Sequence, residues 1–409
     1  MENKQVCERF TDTKGSLHSF TYPALPAEDD RDSSKSTECA HAQVKPGKKK
    51  KQKKKRQNTE KMFPEKILTE QPTSQSSGNP KQDTYIQTTC DQSTQTDVLQ
   101  NKSTQTMATQ TFQLQCIHTQ SMDSKSTQTH RTRPTLREVY EGQGSADHSS
   151  EGKEPNQLTL LTWNIDGLDV EDLKERIPSL LSYLGTHRAD VVLLQELVPP
   201  YLKILQEIMT DYEFLQGDDS GYFTAILLRK SRVEFLQSNI VKFPTTEMGR
   251  NLLMANVCFS GQQLCFMTSH LESLKTSSQE RMNQLRRVWK WMREAPDSHT
   301  VIFGGDTNLR DWEVKKLGGL PDCIMDVWEM LGQPEDCMYT WDTTTNNNKE
   351  VPFPVRLRFD RVYLRGPREG LWPHPTRMTL VGLEKLRCSR FTSDHWGILC
   401  TFSFESSVQ

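Results

Sequence analysis

Asn164 closes the apolar run "LTLLTWN", Glu196 closes "DVVLLQE", His270 closes "QLCFMTSH", Asp306 and Asn308 follow "VIFGG", and Asp394-His395 precede "WGILCTF". Singly, an acid before a turn or a histidine beside a core is an ordinary structural residue. Repeated at the polar ends of successive apolar runs, Asn, Glu, His, Asp-x-Asn and Asp-His can converge at one rim of a sandwich. That set suits phosphodiester hydrolysis. A hard carboxylate such as Glu196 matches Mg²⁺, which keeps several waters and takes few protein ligands. A second carboxylate can accept a proton from attacking water, while Asn and His can stabilise charge on phosphoryl oxygens. No HExxH, GxSxG or P-loop competes for the role. Around "GGDTN" the glycines are read as letting the backbone leave the sheet abruptly. Alternation along an extended segment would then put Asp306 and Asn308 on one side and Thr307 on the other.

The elements that must position these residues are read from periodicity. Strands are expected at 158–166 and 190–197, in "YFTAILLRK", "VEFLQ", "NLLMANVCF" and "QLCFMTSHL", before the "GGDTN" turn, and in "RLRFDRVYL" and "HWGILCTFSF" as the last two. Helices are expected at 170–188, at 199–209 behind a proline, and at 277–294. Helices interspersed with strand hairpins indicate an α/β protein with mixed sheets.

Composition divides the chain. All eight tryptophans lie at or beyond Trp163, and residues 1–150, rich in Lys, Gln, Thr and Ser, cannot bury enough apolar surface to fold. They are read as a disordered tail, and 151–409 as the catalytic domain. The net charge of −2 conceals "KPGKKKKQKKKR" at 45–56, nine basic residues in twelve, with the composition of a nuclear localisation signal. A nuclear protein is expected, with a cytoplasmic pool also allowed. Thr-Gln-Thr starts at Thr94, Thr104, Thr109 and Thr127, with irregular spacing that excludes a solenoid. "KSTQT", ending at Thr106 and again at Thr129, resembles the docking motif for dynein light chain, captured as an added strand and gaining avidity from repetition. Ten cysteines without a CxxC pair and an N-terminus without a secretory leader imply reduced thiols, and no apolar stretch is long enough to span a membrane.

"TWNIDGL", "LLQEL", "TSHLES", "GGDTNLRD", "RFDRVY" and "SDHWG", in that order, resemble the exonuclease–endonuclease–phosphatase superfamily over about 158–404. "YTWDT" at 339–343 narrows the resemblance to a branch that acts on 5′-phosphotyrosyl DNA ends. The resemblance implies a four-layered α/β sandwich of two mixed β-sheets flanked by helices. It implies hydrolysis of the bond between a topoisomerase II tyrosine and a 5′ phosphate, leaving a ligatable end. Glu196 would bind Mg²⁺, with Mn²⁺ able to substitute, and Asn164 would support the metal shell and the base. Asp306, also assigned to the metal site, would orient and deprotonate water; Asn308 and His270 would hold phosphoryl oxygens, and His395 would stabilise the transition state. Asp360 and Asp394 would sit behind these, Asp360 fixing the His395 tautomer. Tyr222, Trp341 and Phe359 would stack bases in a single-strand groove, and Arg310, Ser273 and Lys275 would contact phosphates or the leaving tyrosine. Two departures stand out: no ubiquitin-binding helical module is recognisable in the tail, and Lys275 replaces an expected Arg, a point charge where a fork is usual.

The motifs alone leave other substrates open, namely abasic DNA, poly(A) or an inositol phosphate. A different class, a dynein light chain scaffold with a lost active site, is disfavoured because every catalytic position holds a competent residue type. A monomeric domain is expected.

Overall fold

The computed structural model describes residues 5–11, 17–23, 134–142 and 154–405. The basic run at 45–56 and the Thr-Gln-Thr segments lie outside these residues. Within the unit Met1–Tyr85, β1 (Gln5–Thr11) and β2 (Leu17–Pro23) pair antiparallel, Thr11 opposite Leu17.

The unit Ile86–Gln409 holds two six-stranded mixed sheets. One runs β15 (Trp372–Val381), β16 (Gly397–Glu405), β3 (Gln157–Asn164), β4 (Val191–Leu197), β6 (Phe223–Arg229), β5 (Tyr212–Gln216). The other runs β11 (Met325–Asp326), β14 (Asp360–Arg365), β10 (Thr300–Asp306), β9 (Gln262–Thr268), β8 (Asn251–Phe259), β7 (Glu234–Lys242). Among these neighbours only β3/β4 and β9/β10 are parallel. The expected four layers are present.

Strand alternation sorts the core into three slabs. Leu158, Leu160, Val191 and Leu193 meet Leu264, Phe266, Ile302, Val362 and Leu364 between the sheets. Their neighbours of opposite parity, Leu161, Trp163, Val192 and Leu194, face α2 (Leu173–His187) and α3 (Pro199–Ile208). On the second sheet Cys265, Met267, Val301 and Phe303 face α4 (Ser278–Glu294) through Leu285, Val288 and Trp289. Period two therefore carries Asn164, His270, Asp306 and Asp360, each an even step beyond an inter-sheet residue, to the gap between the sheets at one rim. At that rim Gln195 Nε2 bridges Thr162 Oγ1 at 3.2 Å and Thr268 Oγ1 at 3.1 Å, joining the sheets by buried hydrogen bonds.

Four expectations change. "WPHPTRMTLV" is a strand, β15, lying between the two read as last; Pro373 and Pro375 concealed it, and they are tolerated because β15 is an edge with an irregularity between Pro375 and Arg377. Helix α1 (Leu136–Gly142), inside the segment assigned to the tail, buries Leu136 and Tyr140 against α2 and α3. Gly304 and Gly305 do not leave the sheet: they stay in β10, where a Cβ would come within 2.8 Å of Leu193 and 2.3 Å of the Ser269 carbonyl. They permit close approach rather than a turn. Asn308 reaches the site not by alternation but by a left-handed turn, φ 50°, while Thr307 is fixed by its Oγ1 donating to Phe359 O at 2.6 Å.

Among the described residues no helix is long and apolar enough to cross a membrane, and all six cysteines are free thiols.

Candidate active site

Asn164 joins the two sheets chemically. Its Nδ2 donates to Glu196 Oε1 at 3.1 Å and to Asp306 Oδ2 at 3.0 Å, while its Oδ1 accepts the Asp166 N–H at 3.0 Å and so fixes which way the amide points. Ser393 Oγ holds the Asn164 carbonyl at 2.6 Å and receives the His395 N–H at 3.1 Å. The histidine loop is thereby set by the same strand end. Trp163 Nε1 adds a bond to His395 O at 2.9 Å.

Glu196 arrives by a different route. In β4 its parity points it outward, but the register slips between Leu194 and Leu197 and Glu196 adopts φ 56°, a β-bulge that turns the carboxylate to the rim. Gly167 makes room, since a Cβ there would lie 2.1 Å from Glu196 O. A left-handed glutamate costs roughly 1–3 kcal/mol and persists only where the surroundings over-determine it.

Asp306 is surrounded by donors. Besides Asn164, His270 Nε2 lies 3.3 Å and His395 Nε2 3.7 Å from Oδ2, and Oδ1 accepts the Asn308 N–H at 3.0 Å. Asn308 Nδ2 and Ser273 Oγ are 3.4 Å apart, and Ser273 Oγ is also 3.4 Å from His270 Nε2. The two histidines differ. Burial and the Arg250 guanidinium push His270 down to about 3, so it is neutral at working pH. Burial also opposes charge on His395, but Asp360, Asp306 and Asp394 outweigh it and hold the imidazole well above its usual range. Its Nδ1 contacts Asp360 Oδ2 at 2.8 Å, the bond expected of a tautomer-fixing carboxylate, leaving Nε2–H toward the cleft.

The substrate residues are brought together unevenly. Trp341 Nε1 donates to Asp394 Oδ2 at 3.2 Å, and Trp341, Phe359 and His395 form a ring series with centroids 5.5 and 6.2 Å apart. Arg310 covers Phe359 at 5.1 Å. Tyr222 stands on the opposite side, edge-on to His270 at 6.3 Å, with Arg250 over its ring at 4.8 Å. A small open pocket lies there, lined by Tyr222, Arg250, Asn251 and His270 among others. Lys275 is exposed and makes no hydrogen bond or ion pair among the described residues. Sequence reasoning missed Arg250, which stands just before a strand start with no motif to mark it. It also missed Asp166, for which "WNID" offered a signal in an acid two residues after Asn164.

Two groups could hold a cation. Asp306, Asp360 and His395 offer donor atoms all within 4.8 Å of one another, yet the Asp360–His395 bond already occupies two of them. Glu196 is the open one: among the described residues its hydrogen-bond donor is Asn164, and its side chain keeps 18 % exposure. Burial and the Asp394 charge raise its pKa. Carboxylates crowded at a rim in this way fit a hard divalent cation.

The Endonuclease/Exonuclease/phosphatase family model matches residues 161–395. Tyrosyl-DNA phosphodiesterase 2 of Danio rerio is 55% identical over 250 residues, covering 61% of this chain and 68% of that protein. The Homo sapiens protein of the same name is 51% identical over 256 residues, 63% and 71% of the two chains. The crystal structure of D. rerio TDP2 complexed with single strand DNA product superposes with TM-score 0.60 at 55% identity, covering 60% of this chain and 99% of that one. TDP2 from Caenorhabditis elegans gives 0.57 at 31% identity, over 63% and 77%.

Proposed function

The chain belongs to the endonuclease/exonuclease/phosphatase family, and from that premise we propose that it hydrolyses 5′-phosphotyrosyl bonds between topoisomerase II remnants and DNA ends, with Mg²⁺ as the metal. The observation that carries this reading is the Asn164 amide, which bonds Glu196 and Asp306 together. One side chain thereby fixes a metal-binding carboxylate relative to a base.

Asp306 Oδ accepts a proton as a water oxygen bonds to phosphorus, and the bond from phosphorus to the tyrosine oxygen breaks. A phenolate leaves with the 5′-phosphate retained on DNA. Because tyrosine has a pKa of about 10, the phenolate departs without needing a strong general acid. Neutral His270 donates through Nε2–H, Asn308 through Nδ2, and protonated His395 presents Nε2–H to the same oxygens; these preorganised donors serve the charge that develops there. Glu196, oriented by Asn164, is the residue to hold Mg²⁺, whose chemistry is to place positive charge beside the phosphoryl oxygens. Trp341 and Phe359 serve as a stacking wall for an unpaired base, and Tyr222 with Arg250 as the wall facing the leaving ring. The basic run is assigned to nuclear import, and the Thr-Gln-Thr segments to dynein light chain docking.

The deciding experiment compares 5′- and 3′-phosphotyrosyl oligonucleotides with Mg²⁺ and with EDTA. Hydrolysis of the 5′ substrate only, lost in EDTA, supports the reading. An intact 5′ substrate beside nicked abasic DNA overturns it.

A further inference from the structure

We propose that Lys349 is a positioning residue for this hydrolysis, holding the catalytic amide of Asn164 in place by neutralising Asp166. The inference rests on the reaction proposed above.

Asp166 stands at φ 51° with its N–H on Asn164 Oδ1, so the turn at Asp166 sets the direction of the Asn164 amide. Its carboxylate is buried at 3 % exposure. Oδ2 makes no hydrogen bond, and Arg176 Nη2 stays 3.6 Å from it because that guanidinium donates to the carbonyls of Asp166, Asp169 and Thr392. Oδ1 accepts Lys349 Nζ at 2.9 Å, the one hydrogen bond to this carboxylate among the described residues. Asp169 also accepts Lys349 at 2.9 Å but has Arg390 Nη2 at 2.6 Å besides. Removing Lys349 therefore costs Asp166 far more than Asp169. Burial and the like charges of Asp394 and Glu196 work against this carboxylate, with Arg176 at 3.6 Å and Lys349 as the cations that offset them. Loss of Lys349 leaves Asp166 under-compensated and without a hydrogen bond; the carboxyl group then takes up a proton or moves, and the turn beneath Asn164 is released with it.

Lys349 is 36 % exposed and lies in the connection between β12 (Trp341–Asp342) and β13 (Arg356–Leu357), so merely pinning that connection is the competing role. The two roles separate in steady-state kinetics of the full chain on a 5′-phosphotyrosyl oligonucleotide. Charge compensation predicts that Lys349→Met lowers kcat by about ten- to hundredfold with KM little changed. Lys349→Arg restores kcat, and in an Asp166→Asn background, where no countercharge is needed, Lys349→Met changes kcat by less than about threefold. A KM effect alone, or an equal loss of kcat in both backgrounds, overturns the proposal. The Asp166→Asn pair gives the answer even where Lys349→Met alone is too unstable to assay. Turnover of the unmutated chain in the same assay tests the underlying reaction separately.

Discussion

Arg250 Nη1 lies 3.0 Å from His270 Nδ1, and because a guanidinium only donates, Nδ1 is the acceptor and the His270 proton resides on Nε2, toward Asp306. Arg250 thus sets the tautomer, and burial together with that cation keeps the histidine neutral. Between the unfolded value near 6.5 and the folded value of about 3, the unfolded chain binds the proton and the folded chain does not, so this group withdraws stability as pH falls through that window. His270→Gln should flatten the fall in the urea midpoint between pH 6.5 and 4. An unchanged slope would show that the histidine is charged in the folded state.

Asp306→Asn keeps the shape of the side chain and removes its ability to take a proton. Turnover should drop by about 10²–10⁴-fold with binding of a single-stranded 5′-phosphorylated oligonucleotide retained, measured by single-turnover kinetics and anisotropy. Retained turnover would move the base elsewhere.

Asp360→Asn removes the first of the charges that raise His395. The raised group is protonated below its folded pKa and loses its proton above it, so the variant should lose activity at lower pH on the alkaline side. A pH–rate profile whose alkaline limb does not move would assign that limb to another group.

Glu196→Gln should raise the Mg²⁺ concentration for half-maximal activity by roughly tenfold or more, a loss of at least about 1.4 kcal/mol. Metal titration of turnover reads it directly, and an unchanged midpoint would favour the Asp306–Asp360–His395 group as the cation site.

Leu136→Ala in α1 should destabilise the domain by about 2–5 kcal/mol through the cavity it leaves. A melting temperature unaffected by this change would place α1 outside the cooperative unit.

Much of the site was legible because strand alternation is a local rule: Asn164, His270, Asp306 and Asp360 all share parity with inter-sheet core residues, so hydrophobic patterning alone carried them to one gap. The helices and the mixed sheets followed from the same periodicity, whereas the four layers were an expectation from the family resemblance. Where backbone departs from regular geometry, local rules fail. Glu196 reaches the rim through a bulge, Asn308 through a left-handed turn, and β15 was concealed by prolines that only an edge position tolerates. The sequence by itself determined which side chains could do phosphoryl chemistry and which strands would bear them. Tertiary structure alone decided that burial and Arg250 make His270 neutral while Asp360 keeps His395 charged, because burial and partners 20 and 35 residues away in sequence set those proton affinities.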